Sequence, residues 1–185
     1  MIDEVLKETN SKMQKSENTL VQELSTIRTG RASPALVEHI KVDYHGVPTP
    51  INQMGSITTP EAKMILIQPW DRSIIRNIEK AILKSDLGLN PITDSQVIRI
   101  VIPALTEERR RELIKAVQKR VEDTKVALRN IRRESIDTLR QSEKNKEISQ
   151  DQCTRAIDQI QQLIDKFTEN VTNIGQTKEA EIMEI

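Results

Sequence analysis

Ten lysines and arginines stand against three acids between residues 109 and 133, and helical phase sorts them. At about 100° per residue, Arg111, Lys115, Lys125, Arg129 and Arg133 share one side of a helix, with Arg132 at the edge nearest an apolar seam. Such a ridge suits phosphate binding: a guanidinium is a rigid fork for bidentate phosphate bonds and a plane for stacking on bases. Charged runs on helices are more often a solvated face paired with acids, and periodicity alone favours that reading. Arg129-Asn130-Ile131-Arg132-Arg133 moves the balance toward an external anion, because no acid stands within four residues N-terminal of its three guanidiniums. Arg28 and Arg31, flanking Gly30, are expected on the same surface, since the first long helix ends where the second begins.

Side chains that could catalyse are scarce. His39 and His45 have no metal-ligand spacing around them and read as surface or strand-edge residues. Cys153 falls on an apolar seam and reads as a small core residue rather than a nucleophile. Trp70 stands before Asp71 and a helix cap, either as an exposed contact or packed on the short helix that follows. No Ser/His/Asp set, carboxylate pair or phosphate-cradling loop stands out, and five glycines leave little material for the last. The expectation is a binding protein with no enzymatic activity, no cofactor and no metal.

The elements that position the ridge are helices. Cys153, Ile157, Ile160, Ile164, Phe167, Val171 and Ile174 step alternately by four and three, a heptad seam. Ser149 and Gln152 have capping-box spacing, which predicts a helix from about Ser149 to Met183. Ile114, Val117, Val121, Thr124, Leu128 and Ile131 repeat the pattern in a helix over Thr106 to Arg140, with Thr106 as cap and Glu107 and Glu108 at its positive end. Leu6, Met13, Leu20 and Ile27 recur every seven residues near the start, beside Ile2 and Leu24. No stripe so narrow is stable alone; packed together the three bury one seam. The second and third must be antiparallel across Glu143-Lys144-Asn145-Lys146.

Residues 30–104 change period. Val37 to Tyr44 reads as a strand, His45-Gly46 as a turn and Pro48-Thr49-Pro50 as an edge or loop. Lys63 to Ile67 and Val97 to Ile102 are strands rich in β-branched residues. Ser73 is expected to cap a short helix burying Ile74, Ile75, Ile78 and Ile82, stopped by Gly88. The fold class is therefore α+β: a long antiparallel three-helix bundle, residues 1–29 and 105–185, with a small, mostly β domain, 30–104, inserted after the first helix. Entry near 29–34 and exit near 103–105 place two chain crossings together, a hinge with Gly30, Pro34 and Pro103 at its edges.

Composition agrees with long, solvent-washed helices: charged residues reach 30% and aromatics only 2%. The formal net charge of zero hides a basic second helix and an acidic third. A single cysteine suits a reducing cytoplasm. No signal peptide or membrane span is expected, and Met1 without a transit-like extension favours a bacterial origin. A monomer is expected, since the seams can satisfy one another within the chain.

Arg28-Thr29-Gly30-Arg31-Ala32-Ser33-Pro34 resembles the hinge-entry motif of ribosome recycling factors. Pro69-Trp70-Asp71-Arg72-Ser73, Ser85 to Pro91, Pro103 to Arg110, Val126 to Arg133 and Glu181-Ile182-Met183-Glu184 are similar to that family's stretches in the same order, so the resemblance spans the chain. Trp70 departs from it, standing where Phe or Tyr is usual. The resemblance implies a two-domain, L-shaped factor that acts after peptide release. With elongation factor G and GTP it would split the post-termination ribosome into subunits, freeing mRNA and deacylated tRNA. The bundle would lie on the intersubunit face of the large subunit against rRNA, and the partner would hydrolyse the GTP. Carried over by position, Arg28, Gly30, Arg31, Arg129 and Arg132 would contact rRNA, Arg132 foremost, with Arg133 joining from the ridge. The hinge would comprise Gly30, Ser33, Pro34, Pro103 and Ala104. The competing reading is a helical adaptor that binds a protein and whose basic face is merely solvated.

Overall fold

The computed structural model describes residues 1–184, which run α1 (Ile2–Ser25), β1 (Lys41–Tyr44), β2 (Val47–Pro50), β3 (Gly55–Glu61), β4 (Met64–Pro69), α2 (Ile75–Lys84), β5 (Pro91–Thr93), β6 (Ile98–Val101), α3 (Glu107–Lys144) and α4 (Gln150–Met183). They divide into two units. One takes Met1–Arg28 and resumes at Thr106; the other is Thr29–Leu105. No described helix is long and apolar enough to cross a membrane.

The larger unit is a three-helix bundle. Thr106 Oγ1 accepts the Arg109 amide at 3.2 Å and starts α3, while Ser149 and Gln152 close a reciprocal capping box at the head of α4. Between them the chain reverses on Lys146, held at φ 61°. The Lys146 and Glu147 amides donate back to the Glu143 and Ser142 carbonyls, satisfying the last groups of α3. Contacts of α3 with α4 at Arg132–Gln161 and Val121–Gly175 make the two antiparallel. Contacts of α1 with α3 at Thr9–Ser135 and Glu23–Arg120 do the same for that pair.

Two apolar clusters fill the bundle. One holds Met13, Leu20, Val117, Leu128, Phe167 and Val171; the other, near the α3–α4 reversal, holds Ile136, Leu139, Cys153 and Ile160. Between them along α1 and α3 sits a buried polar contact, Thr9 Oγ1 to Ser135 Oγ at 2.6 Å, with each hydroxyl also on its own helix's carbonyl four residues back. Slipping either helix would part the two hydroxyls and leave each with only its own helix's carbonyl, so the pair favours one register. At the other end Gly175 brings α4 onto α3: a Cβ there would stand 2.6 Å from Val121 Cγ2.

The smaller unit has a four-stranded antiparallel sheet in the order β3-β4-β6-β5, and a separate hairpin of β1 and β2. Ile65 and Ile67 of β4 and Ile98 and Ile100 of β6 point to one face and are fully buried, against Ile75, Ile78 and Ile82 of α2. The hairpin turns on His45 and Gly46, at φ 50° and 84°, the left-handed pair that matches the twist of two-residue hairpin loops.

Several boundaries in this unit differ from the sequence reading. The strand expected over 37–44 is confined to Lys41–Tyr44, because the 3-10 turn over Pro34–Leu36 runs on into turns in which the Glu38 amide donates to the Pro34 carbonyl and the Ile40 amide to the Val37 carbonyl. Of the two readings of Pro48-Thr49-Pro50, edge or loop, the structure has the edge, paired with β1 as β2. The strands β3 and β5 are additional to the expected ones; both are sheet edges. The cap before α2 is Asp71, whose Oδ1 accepts the Ser73 amide at 2.9 Å, and it starts a 3-10 turn that runs into the helix. Hydrogen bonds from the Ser73 hydroxyl and amide hold the Asp71 carboxyl below its usual pKa. The helix ends at Ser85, whose hydroxyl bonds the Ile82 carbonyl, before Gly88 is reached.

Candidate nucleic-acid interface

The ridge on α3 exists as phased. Arg111, Arg129 and Arg133 are exposed along one side, Lys115 is exposed and Lys125 half-buried with them, and Arg132 is half-buried toward α4. Its environment departs from expectation in one respect. Arg129 is not without an acid: its Nη2 lies 2.8 Å from Glu122 Oε1. Seven residues are close to two helical turns, so a carboxylate outside a four-residue window still stands on the same face. Arg111 pairs with Glu107 one turn back. Both pairs are well exposed, and such pairs contribute about 0–1 kcal/mol, screened further by salt. Either can be exchanged for a phosphate at little cost.

Arg132 and Arg133 are partnered differently. Arg132 Nε donates to Gln161 Oε1 on α4 at 2.8 Å, and Gln161 Nε2 donates onward to Asp165 Oδ1 at 2.9 Å. Among the described residues Arg133 has no hydrogen-bond or ion-pair partner. Arg129 and Arg132 form the α3 wall of a groove of about 600 Å³, floored by Ile164 and walled on the α4 side by Asp165, Thr168 and Glu169. One wall is basic and the other acidic, which follows from the opposite charges of the two segments.

The remaining candidates lie elsewhere. Arg28 closes the first segment of the larger unit, while Gly30 and Arg31 belong to the smaller one; both arginines are exposed and both already engage other groups of the chain. Ser33 Oγ accepts the Ala35 amide, Pro34 opens the 3-10 turn, and Pro103 and Ala104 are exposed in the stretch after β6. His39 is exposed beside Glu38, and the His45 ring lies tilted against that of Tyr44, centroids 4.6 Å apart. No group of three potential metal ligands exists among the described residues. Cys153 is buried on the seam, and that burial, with Glu143 adding to it, raises its thiol pKa. Trp70 is 73% exposed, so it does not pack on α2.

The sequence reading missed Gln161 altogether. Its signal was faint: a polar residue one position from the seam of α4, at a distance from the α3 loop that antiparallel pairing brings opposite Arg132.

Comparison with known proteins gives one consistent result. Residues 20–183 match the family model described as ribosome recycling factor. The chain is 54% identical to the ribosome-recycling factor of Dehalococcoides mccartyi and 52% identical to that of Syntrophomonas wolfei, each over 185 residues and all of both chains. A solution structure of a ribosome recycling factor superposes with a TM-score of 0.77 at 41% identity, covering 100% of this chain and 98% of that one. A second structure superposes at 0.65 with 43% identity over the whole of both chains. It represents the T. thermophilus ribosome recycling factor and E. coli elongation factor G bound to the E. coli post-termination complex.

Proposed function

The chain belongs to the ribosome recycling factor family, and on that premise we propose that it binds the post-termination ribosome and, with elongation factor G and GTP, dissociates it into subunits. Messenger RNA and deacylated tRNA leave for a new round of translation. The observation that carries the reading is the Arg129–Arg133 cluster on the bundle, cationic groups held by neutral or weakly bound partners on a chain of this family.

In this reading the bundle lies on large-subunit rRNA at the intersubunit face. Arg28, Gly30, Arg31, Arg129, Arg132 and Arg133 contact RNA, and Arg111, Lys115 and Lys125 extend the basic face. The protein does no chemistry of its own; elongation factor G hydrolyses the nucleotide, and this chain acts as a monomer in the cytoplasm. The smaller domain moves about a hinge formed by Gly30, Ser33, Pro34, Pro103 and Ala104. Support for the hinge comes from the two chain crossings between the units and from Gly30, whose φ of +77° strains any other residue.

The test is light scattering of post-termination ribosomes with elongation factor G and GTP. Wild type is expected to split them, while Arg132→Ala keeps its helical content and loses most of the rate. Ribosome binding is expected to weaken steeply with salt, because each phosphate contact releases counterion. Wild-type splitting by Arg132→Ala would remove that residue from the interface. The adaptor reading draws on the ion pairs Arg111–Glu107 and Arg129–Glu122, which make the ridge partly self-satisfied; failure of the chain to co-sediment with vacant ribosomes would favour it.

A further inference from the structure

Arg132 differs from Arg111 and Arg129 in the charge of its partner. Those two are held by carboxylates, Glu107 and Glu122, whereas Arg132 is held by the amide oxygen of Gln161 at 2.8 Å. The amide is itself anchored, since its Nε2 donates to Asp165 one turn along α4 at 2.9 Å. A carboxylate acceptor both orients a guanidinium and neutralises it. An amide acceptor orients it and leaves the charge. The bond also takes Nε, so the nitrogens left over are the terminal pair, the end-on fork that matches two phosphate oxygens.

We propose that Gln161 is a positioning residue for Arg132: its neutral side-chain oxygen fixes the guanidinium on the rim of the α3–α4 groove with charge and terminal fork available to an RNA phosphate. The inference rests on the reading of Arg132 as an RNA contact. It assigns the two groove arginines different tasks. Arg129 exchanges Glu122 for a phosphate on binding, whereas Arg132 keeps its partner and gains the phosphate, so its contact is made without loss of an existing bond. Orientation by Gln161 also removes rotamer freedom before binding, a cost otherwise met when the long side chain is immobilised at the interface.

The experiment is ribosome binding across a salt series, together with the splitting rate at saturating protein. The variants are Gln161→Glu, Gln161→Ala, Arg132→Ala, the Gln161→Ala/Arg132→Ala double, and Gln162→Glu as a control with the same charge change outside the groove. Circular dichroism checks that each retains its helices. Gln161→Glu is expected to weaken binding about tenfold and to flatten the log–log salt dependence by roughly 0.7–0.9, the loss of one phosphate contact. Gln161→Ala keeps the salt slope, since the charge survives, and loses roughly three- to tenfold in affinity, with a saturated splitting rate between those of wild type and Arg132→Ala. Gln162→Glu stays near wild type, and the double variant is no weaker than Arg132→Ala alone. The proposal is overturned if Gln161→Glu behaves like Gln162→Glu, or if the Gln161 and Arg132 losses add. Wild-type binding by Arg132→Ala is a separate result: it removes the RNA contact on which the positioning role depends, and the role with it.

Discussion

Gly175 should resist replacement by alanine, although it stands in the middle of a helix. In an open helix the exchange gains about 0.5–1 kcal/mol, because glycine loses the most conformational freedom on ordering. Here the added methyl would come to 2.6 Å from Val121 Cγ2 and 3.7 Å from its Cβ, about 1 Å inside ordinary contact at the nearer atom. Val121 is β-branched and half-buried on a long helix, so it relieves the clash only by leaving its rotamer or by moving α3. Overpacking of this kind costs about 1–3 kcal/mol. The net expectation is destabilisation of about 1 kcal/mol, or roughly 2–4 °C in Tm for a chain of this length. Val121→Ala alone removes two half-buried methyl groups and should cost about 1 kcal/mol. In the double variant the new methyl fills the vacated space, so the two losses should fail to add by at least about 1 kcal/mol. Urea unfolding followed by circular dichroism at 222 nm reads the bundle, and the emission of Trp70, the only tryptophan, reads the smaller unit as an internal reference. A stabilised Gly175→Ala variant, or strictly additive losses, would refute the close-approach argument.

Gly55→Ala should do the converse, since its Cβ would run into the Gln68 carbonyl oxygen and stand 2.8 Å from Pro69 Cα, backbone that cannot rotate away. A loss above about 2 kcal/mol is expected, seen in Trp70 emission and sparing the helical signal. Thr9→Val should cost about 1 kcal/mol by breaking the buried hydroxyl pair, and adding Ser135→Ala should recover part of it in the same urea titration. Cys153 should react slowly with a thiol reagent in the native protein and fast in urea. Its folded pKa lies above the ordinary value of 9.0, so the neutral thiol's contribution is complete below that value and fades as pH rises past it. Bundle stability should therefore decline on the alkaline side more in wild type than in Cys153→Ala.

The bundle was legible because its determinants are local. Heptad steps, the Thr106 cap and the Ser149–Gln152 box act over three or four residues, and each appears at its expected position. The central strands β4 and β6 were legible for the same reason, as short β-branched runs. Their edge partners were not. Neither β3, with Thr58, Thr59 and Pro60 largely exposed, nor β5, opening on Pro91, carries an alternating apolar face; each is a strand because a neighbour offers it hydrogen bonds. Pairing energy of that kind comes from residues far along the chain, and periodicity is blind to it.

The candidate site divides along the same line. Helical phase on α3 alone determined which cations share a face, since a helix fixes the angle between residues whatever surrounds it. Which of them keeps its charge was decided by tertiary structure. Glu122 reaches Arg129 across two turns, and antiparallel packing of α4 brings an amide, not a carboxylate, to Arg132. The side-chain partner depends on the register of one helix against another, set by contacts such as Thr9 with Ser135 and Val121 with Gly175, and register is a property of the packed chain.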